Sequence, residues 1–151
     1  TGGMVMANVW PVHTDRETWI YYSGRGNKHN AAARDGSNTG LFRATMRRDG
    51  FVSADAQLAG GEFVTPPLTF SGSELELNVD CGAGGWLRVE IQDQEGTAIE
   101  GYALKDCDTT TANAIKTRVS WRGGNRITVD GPIRLRMVIR STKLYSFRFV
   151  E

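Results

Sequence analysis

The sequence lacks the features that would mark a membrane protein or a disulfide-rich protein. It has no run of about 18 apolar residues, the length that a membrane-spanning helix needs. Its start, TGGMVMANVW, does not have the charged-then-apolar order of a signal peptide. With 151 residues and 40% hydrophobic content, the chain can bury a core without metal or a dense disulfide framework. We therefore expect one soluble globular domain with an appendage, and a start without methionine is typical of a fragment.

Motifs for metal and phosphate binding are also missing. The two histidines, His13 and His29, lie in polar stretches without a second histidine or a cysteine pair about three or four residues away. The segment GRGNKH contains glycines, but no Lys-Ser or Lys-Thr pair follows the second glycine, and no helical pattern begins behind it. The sequence therefore predicts no metal site and no cofactor.

The chain is nearly neutral overall, but its charge is unevenly distributed. The formal net charge is +1, made up of +3 for residues 1–50, −9 for residues 51–115 and +7 for residues 116–151. A nucleic-acid-binding protein more often gathers basic residues on one face without an acidic segment that neutralises them. The pattern favours a protein that does not bind nucleic acid, and the lack of a long apolar run predicts that it does not bind a membrane.

Two segments alternate between apolar and charged residues. In SELELNVD, residues 73–80, the residues between the apolar ones are mainly acidic, and in IRLRMVIR, residues 133–140, they are mainly arginines. This period of two predicts strands with one buried face and one solvated face. The inward residues are predicted to be Leu75, Leu77, Val79, Ile133, Leu135, Met137 and Ile139. If the two strands are neighbours, each cross-strand ion pair would contribute roughly a few tenths of a kcal/mol.

The other segments also favour strands. Residues 86–92 and 98–104 flank DQEGT, where Gly96 can take the positive φ of a tight hairpin. Further strands are predicted at 62–70, where two prolines require an edge or a break, and at 115–121 and 144–150. No segment of ten or more residues has helical spacing. The predicted class is all-β, and short antiparallel strands with glycine-rich turns favour a β-sandwich.

The order of several short motifs resembles a known family. RRDGFVSADA is followed by TPPLTF, LELNVD, AGGWLRVEIQDQEG, GYALKDCD, VSWRGG and PIRLRMVIRSTKLYSFRF. This order, over residues 44–151, resembles the C-terminal β-sandwich of five-bladed β-propeller glycoside hydrolases, the group around families 32 and 43. Upstream, ETWIYYSGRGNKHN and TGLFRATMRRDG resemble the last propeller strands of the same proteins. The resemblance implies an extracellular or periplasmic location.

The resemblance implies two parts and a joint between them. Residues 1–46 would be a propeller remnant with partial last-blade strands, and residues 47–151 would be an antiparallel β-sandwich of the jelly-roll or concanavalin-like type. Within ATMRRDGFVSADA, residues 44–56, the propeller-like element would end at Met46, residues 47–50 would turn, and Phe51 would start the sandwich. Asp49-Gly50 is predicted to form that turn, with the positive φ at Gly50.

The resemblance also implies that the catalytic residues are absent. Those enzymes take their catalytic carboxylates from upstream blades, and the residues before the joint are too few for two blades of about four strands. Asp15, Glu17 and Asp35 are the acidic residues there, whereas glycoside hydrolysis needs two carboxyl groups roughly 5–10 Å apart. We expect a non-catalytic accessory domain, structural or forming homodimers through exposed strand edges. An independent glycosidase is an alternative that only the family name supports.

A carbohydrate-binding module is another alternative. Such modules stack exposed aromatic rings on sugars, with polar neighbours that bind the hydroxyls. Trp86 alternates out of phase with the apolar residues that follow it, so it should project outward beside Arg88 and Glu90. Trp121, at the end of a predicted strand, is a second candidate, and core packing is the favoured interpretation of it.

The two cysteines leave two interpretations open. If the hairpin turns near Gln94 and Glu95, Cys81 would lie close to Cys107. A bridge would contribute about 3 kcal/mol in an oxidising compartment, and the alternative is two buried thiols. In the proteins that the chain resembles, KDCD often carries its cysteine without a partner, which favours free thiols.

Overall fold

The computed structural model describes residues 4–26 and 39–151 and divides the chain into two compact units, Thr1–Phe51 and Val52–Glu151. The division falls a few residues after the predicted boundary between 46 and 47. All strand pairs are antiparallel and the described residues form no helix, so the all-β prediction is confirmed. Accordingly, no helix of the described part is long and apolar enough to cross a membrane.

The described residues of the first unit form a single antiparallel sheet. Its strands are β1 (Met4–Ala7), β2 (Val12–His13), β3 (Glu17–Arg25) and β4 (Thr39–Arg47). β3 is central: β4 pairs with it along its whole length, while β1 and β2 pair with successive parts of its other edge. The sheet is therefore about three strands wide.

The described side chains of the first unit form little interior. Thr18 is the one buried residue among its described side chains. The register places Phe42 beside Tyr22 on one face, with ring centroids 5.4 Å apart, and Leu41 beside Ser23 on the other face. Large apolar side chains are exposed on both faces or next to them; they are Val5, Met6, Val9, Trp10, Val12, Leu41 and Phe42.

The turn after β4 has the predicted position but a different conformation. The amide of Gly50 donates a 2.9 Å hydrogen bond to the carbonyl oxygen of Arg47. The positive φ belongs to Asp49, at 56°, and not to Gly50. Gly50 is needed for close approach instead, because a Cβ there would lie 2.7 Å from that carbonyl oxygen.

The second unit contains a five-stranded antiparallel sheet. Its strands are β5 (Ala54–Ala56), β6 (Gly61–Val64), β7 (Glu74–Gln92), β8 (Asn113–Arg118) and β9 (Arg134–Val150). β5 and β6 pair with successive parts of β9, which pairs with β7, and β7 pairs with β8. The two long strands β7 and β9 are the centre of the sheet.

The prediction of separate strands at 73–80 and 86–92, and at 133–140 and 144–150, is wrong. Each pair is one continuous strand, because the residues between them form a bulge in the ladder and not a turn. Gly84 and Ser141 take positive φ at this bulge, and a Cβ on Gly85 would collide with the carbonyl oxygen of Ser141. The glycine run that reads as a loop is a place where two backbones touch.

The predicted hairpin is confirmed at its turn and wrong in its second strand. Gly96 has φ 91°, and the amide of Asp93 donates a 2.9 Å hydrogen bond to the carbonyl oxygen of Thr97. Beyond the turn, residues 98–104 form only one isolated bridge, between Ala98 and Gln92, before the chain turns again at a glycine with positive φ.

Two other predicted strands are shorter than expected. β6 ends at Val64, before the two prolines, and the chain rejoins β9 through a single bridge between Leu68 and Ile133. β8 covers Asn113–Arg118 and not 115–121.

One hydrophobic cluster holds the second unit together. Every residue that the alternation placed inward, from Leu75 to Ile139, is at most 3% exposed. The other members of the core are Cys81, Leu87, Val89, Ile91, Cys107, Val119, Trp121, Ile127 and Leu144. Each large side chain contributes about 1.5–3 kcal/mol when fully buried, so this cluster is the main source of stability.

Four outward side chains of β7 are buried, although this face was predicted to be solvated. Glu76, Asn78, Glu90 and Gln92 are all buried, because β7 is a central strand and side chains from neighbouring strands cover it. Residues 74–80 pair with 143–150 of β9 and not with 133–140, so the cross-strand ion pairs differ from the predicted ones: Glu76 lies 2.7 Å from Arg148, its direct partner in the ladder.

Candidate functional site

Trp86 projects from the outer face of β7, as predicted, and is half-buried. Its immediate neighbour Leu87 points into the core. Arg140 of β9 is its direct partner in the antiparallel ladder, so both side chains emerge on the same face. The guanidinium carbon of Arg88 lies 6.0 Å from the centre of the Trp86 ring, at the outer limit of a cation–π contact.

Both arginines beside Trp86 are anchored through the Nε atom. Arg88 donates a 2.8 Å hydrogen bond from Nε to the hydroxyl of Thr109, and Arg140 donates one of 3.0 Å to the carbonyl oxygen of Leu58. Neither guanidinium has a carboxylate within ion-pair distance among the described residues. Four other arginines of this unit do have such a partner: Arg118, Arg122, Arg136 and Arg148.

Glu90, which was predicted to contact a sugar, is buried, and its carboxylate already has partners within the protein. It accepts hydrogen bonds from the amide of Leu104 and the side-chain amide of Gln92, at 3.1 and 2.8 Å, and Arg136 lies 3.4 Å away. Burial raises the pKa of Glu90, but these three partners outweigh burial, and the net result is a lowered pKa. The Glu90 carboxylate holds the sheet together and has little freedom to bind a ligand.

Trp121, the second candidate ring, belongs to the core. It is 5% exposed, and its indole Nε1 donates a 2.9 Å hydrogen bond to the carbonyl oxygen of Val89. Tyr102 packs edge-on against it with ring centroids 5.3 Å apart. A sugar cannot stack on a buried ring, so Trp121 is not part of the candidate site. The structure supports the favoured interpretation that Trp121 is a core residue.

The two cysteines are free and buried. The Cys107 sulfur accepts a hydrogen bond from the amide of Val89 at 3.2 Å, and the Cys81 thiol donates to the carbonyl oxygen of Thr110. Burial raises the pKa of each thiol. The expected proximity assumed a regular hairpin, but the irregular chain between 98 and 107 changes the register, so that Thr110 and not residue 102 faces Leu87.

Two of the three acidic residues before the joint lie in the described part of the chain. Asp15 and Glu17 are exposed, and Glu17 accepts a 2.7 Å hydrogen bond from the indole nitrogen of Trp19. Asp35 lies outside the described residues. In the described part, no group of three or more His, Cys, Asp and Glu side chains could hold a metal ion. His13 lies 3.0 Å from the Thr18 hydroxyl, and His29 is outside the described residues.

An acidic cluster that the sequence did not suggest lies at the turn after Trp121. Asp106 pairs with Arg122 at 2.6 Å. Asp108 accepts hydrogen bonds from the Ser120 hydroxyl and the Gly123 amide, which lower its pKa. Arg122 has φ 52°, so these bonds stabilise a strained turn. The cluster has a structural role.

Two residues close to Trp86 were not predicted from the sequence to belong to the candidate site. They are Arg140, its partner in the ladder, and Thr109, which binds Arg88. The alternation in residues 133–140 places Arg140 on an outer face, which is a usable signal. Which ring it lies beside depends on the register between β7 and β9 across the bulge at Cys81/Trp86, and no local pattern specifies that register.

Comparison with protein-family models, with curated proteins and with solved structures finds no match for the chain.

Proposed function

We propose that this chain is a non-catalytic accessory domain of a glycoside hydrolase-like protein. On this proposal the second unit is a jelly-roll-type β-sandwich, and the first unit is a propeller-like sheet that docks against other β-sheets. The observation that carries the proposal is the exposure of large apolar side chains on both faces of the first unit. Leu41 is 76% exposed on one face and Phe42 is 48% exposed on the other.

Apolar residues on both faces are typical of a sheet covered on both sides. An independent antiparallel sheet usually has one face on a core and one face in water. Large contiguous apolar surfaces on a protein mark interaction sites. The second unit has a closed core of its own, whereas the first unit has a single buried threonine among its described side chains, so the first unit needs a partner more than the second does.

The acidic residues support a role without catalysis. A glycosidase needs one carboxyl group that stays protonated and a second one across the bound sugar. Asp15 and Glu17 are exposed, and the Glu17 carboxylate already accepts the Trp19 indole proton. In the second unit, Glu74, Glu76, Glu90 and Asp106 are engaged with arginines.

Activity assays test the non-catalytic role. The purified protein should release no reducing sugar from fructans, arabinans, xylans or sucrose. Turnover that persists through further purification and disappears in Glu17→Ala or Asp15→Ala would overturn the proposal. Arg126→Ala, a change at an exposed residue distant in sequence from both carboxylates, is the control for loss of a charged side chain.

A second candidate function, carbohydrate binding, is supported by the surroundings of Trp86. The indole lies on a sheet face between two anchored arginines, which is the arrangement of an aromatic platform with polar groups beside it. A single ring supports only weak binding, on the order of millimolar, because stacking must first offset the entropy of association.

A further inference from the structure

We propose that Trp86, Arg88 and Arg140 form a binding site for an acidic sugar, a hexuronate residue of a polysaccharide. The inference rests on the carbohydrate-binding function and specifies its ligand class. It does not depend on docking by the first unit. The three residues are called the Trp86 site below.

The two arginines beside Trp86 differ from most other arginines of the second unit in having no ion-pair partner among the described residues. In the second unit, Arg118, Arg122, Arg136 and Arg148 each lie within 3.4 Å of a carboxylate. Arg88 and Arg140, on the two sides of Trp86, have no carboxylate within ion-pair distance among the described residues, and both are exposed. The positive charge of this sheet face therefore remains uncompensated at Trp86.

The two guanidinium groups are each held at one nitrogen atom, which leaves their terminal nitrogens able to bind a ligand. Each uses Nε for a hydrogen bond within the protein, to Thr109 or to Leu58. The terminal nitrogens, which carry the other N–H groups, make no hydrogen bond to described residues. An arginine anchored in this way loses less conformational entropy on binding a carboxylate, and the planar fork favours two parallel hydrogen bonds.

The nearby acidic side chains do not neutralise the site. Glu90, two residues from Arg88 on the same strand face, is buried and faces Arg136. Asp108, next to Thr109, is held by the Ser120 hydroxyl and the Gly123 amide. Both of these carboxylates already have partners of their own.

The aromatic ring selects a sugar among possible anions. An indole packs against the C–H face of a pyranose, while the guanidinium groups beside it would bind the carboxylate of the same sugar. A neutral sugar would leave both cations without a partner. A nucleic acid would need an extended basic surface, but three arginines of this sheet face, Arg118, Arg136 and Arg148, are already neutralised by glutamates.

Isothermal titration calorimetry of the whole chain with two matched probes tests the proposal. The probes are tetragalacturonate and its fully methyl-esterified form, which has the same rings without the charges. We expect a Kd on the order of 0.1–1 mM for the acid and at least about tenfold weaker binding for the ester. We also expect weaker binding of the acid at high salt.

Three variants and one control separate the site from general charge attraction. Arg88→Gln, Arg140→Gln and Trp86→Ala should each weaken binding of the acid by about tenfold. Arg134→Gln is the matched control: Arg134 lies on the same face of β9, also donates from Nε to a backbone carbonyl, and also lacks a carboxylate partner among the described residues. It should change affinity by less than about twofold. Near-ultraviolet circular dichroism checks that each variant is folded.

Each contrary result has a definite meaning. Equal binding of the acid and the ester would overturn the acidic-sugar site but leave carbohydrate binding standing. No binding of either probe would overturn both. Binding of dextran sulfate or polyphosphate as strong as that of tetragalacturonate, unchanged in Trp86→Ala, would show non-specific attraction of anions and overturn the site. None of these results concerns the docking role of the first unit.

Discussion

The indole nitrogen of Trp121 donates a hydrogen bond of 2.9 Å to the carbonyl oxygen of Val89 in β7. This bond joins the segment after β8 to the central strand and gives a buried backbone acceptor its partner. Trp121 therefore acts as a core residue, although it precedes a glycine-rich turn. Its ring packs in the core, and its indole N–H satisfies the Val89 carbonyl oxygen.

Replacement of Trp121 should destabilise the second unit strongly. Trp121→Ala removes a buried ring and leaves the Val89 carbonyl unpaired, so we expect a loss of about 3–5 kcal/mol in the free energy of unfolding. Trp121→Phe should lose less, because it keeps most of the packing. Trp86→Ala, at a half-buried ring, is the control and should have a clearly smaller effect. Urea denaturation measures all three, and equal losses for Trp121→Ala and Trp86→Ala would contradict the assignment.

The buried carboxylate of Glu90 should make stability depend on pH. Its pKa is lowered in the folded protein, so on acidification the unfolded chain binds a proton at this residue before the folded protein does. The stabilising contribution is complete at neutral pH and is lost as the pH falls below the ordinary glutamate pKa towards the lowered one. Denaturation curves across that range should show a smaller decline in Glu90→Gln than in the wild type.

Glu95→Gln is the charge-matched control for this prediction. Glu95 is exposed in the turn after β7 and has no ion pair among the described residues. A Glu90→Gln protein with the same acid-dependent decline as the wild type would show that Glu90 is not the group responsible.

The two thiols should react slowly in the folded protein. Both are buried, both have a raised pKa, and only the thiolate is nucleophilic. Alkylation followed by mass spectrometry should add little label under native conditions and two labels in denaturant without reductant. Two labels only after reduction would demonstrate a bridge between Cys81 and Cys107 and contradict the structure.

Gly50 should tolerate no side chain. A Cβ at this position would lie 2.7 Å from the Arg47 carbonyl oxygen, a backbone atom that cannot move aside freely. Gly50→Ala should therefore destabilise the first unit by about 1 kcal/mol or more. Gly61→Ala is the control, because the nearest atom to its new Cβ is 3.8 Å away in ordinary contact. Calorimetry with the same melting temperature for Gly50→Ala and the wild type would refute this role.

The core could be read from the sequence because it depends on a local period. Alternation identified Leu75, Ile133 and the residues in phase with them, and each is buried. The burial of Glu76 could not be read in the same way, since an outward residue is covered only if its strand is central and its neighbours carry long side chains. Strand order is a non-local property.

The surroundings of Trp86 also combine a feature that the sequence predicts with one that it does not. Its outward phase follows from alternation, but its position opposite Arg140 depends on a bulge where the glycine run meets Ser141. A glycine run predicts a turn from its conformational freedom alone. Only the structure shows that the backbone of β9 approaches these glycines so closely that a side chain at Gly85 would collide with it.

The mass of the protein in solution tests the docking role of the first unit most directly. A sheet with apolar side chains on both faces, in the absence of other partners, should associate with a second copy at tens of micromolar. Light scattering coupled to size exclusion should then give about twice the monomer mass at high concentration, and Leu41→Lys should return it to the monomer. Leu58→Lys, at a leucine of the second unit that is 65% exposed, should leave the dimer intact. A monomeric mass for the wild type up to about 100 µM would contradict the proposal that the first unit is a docking sheet.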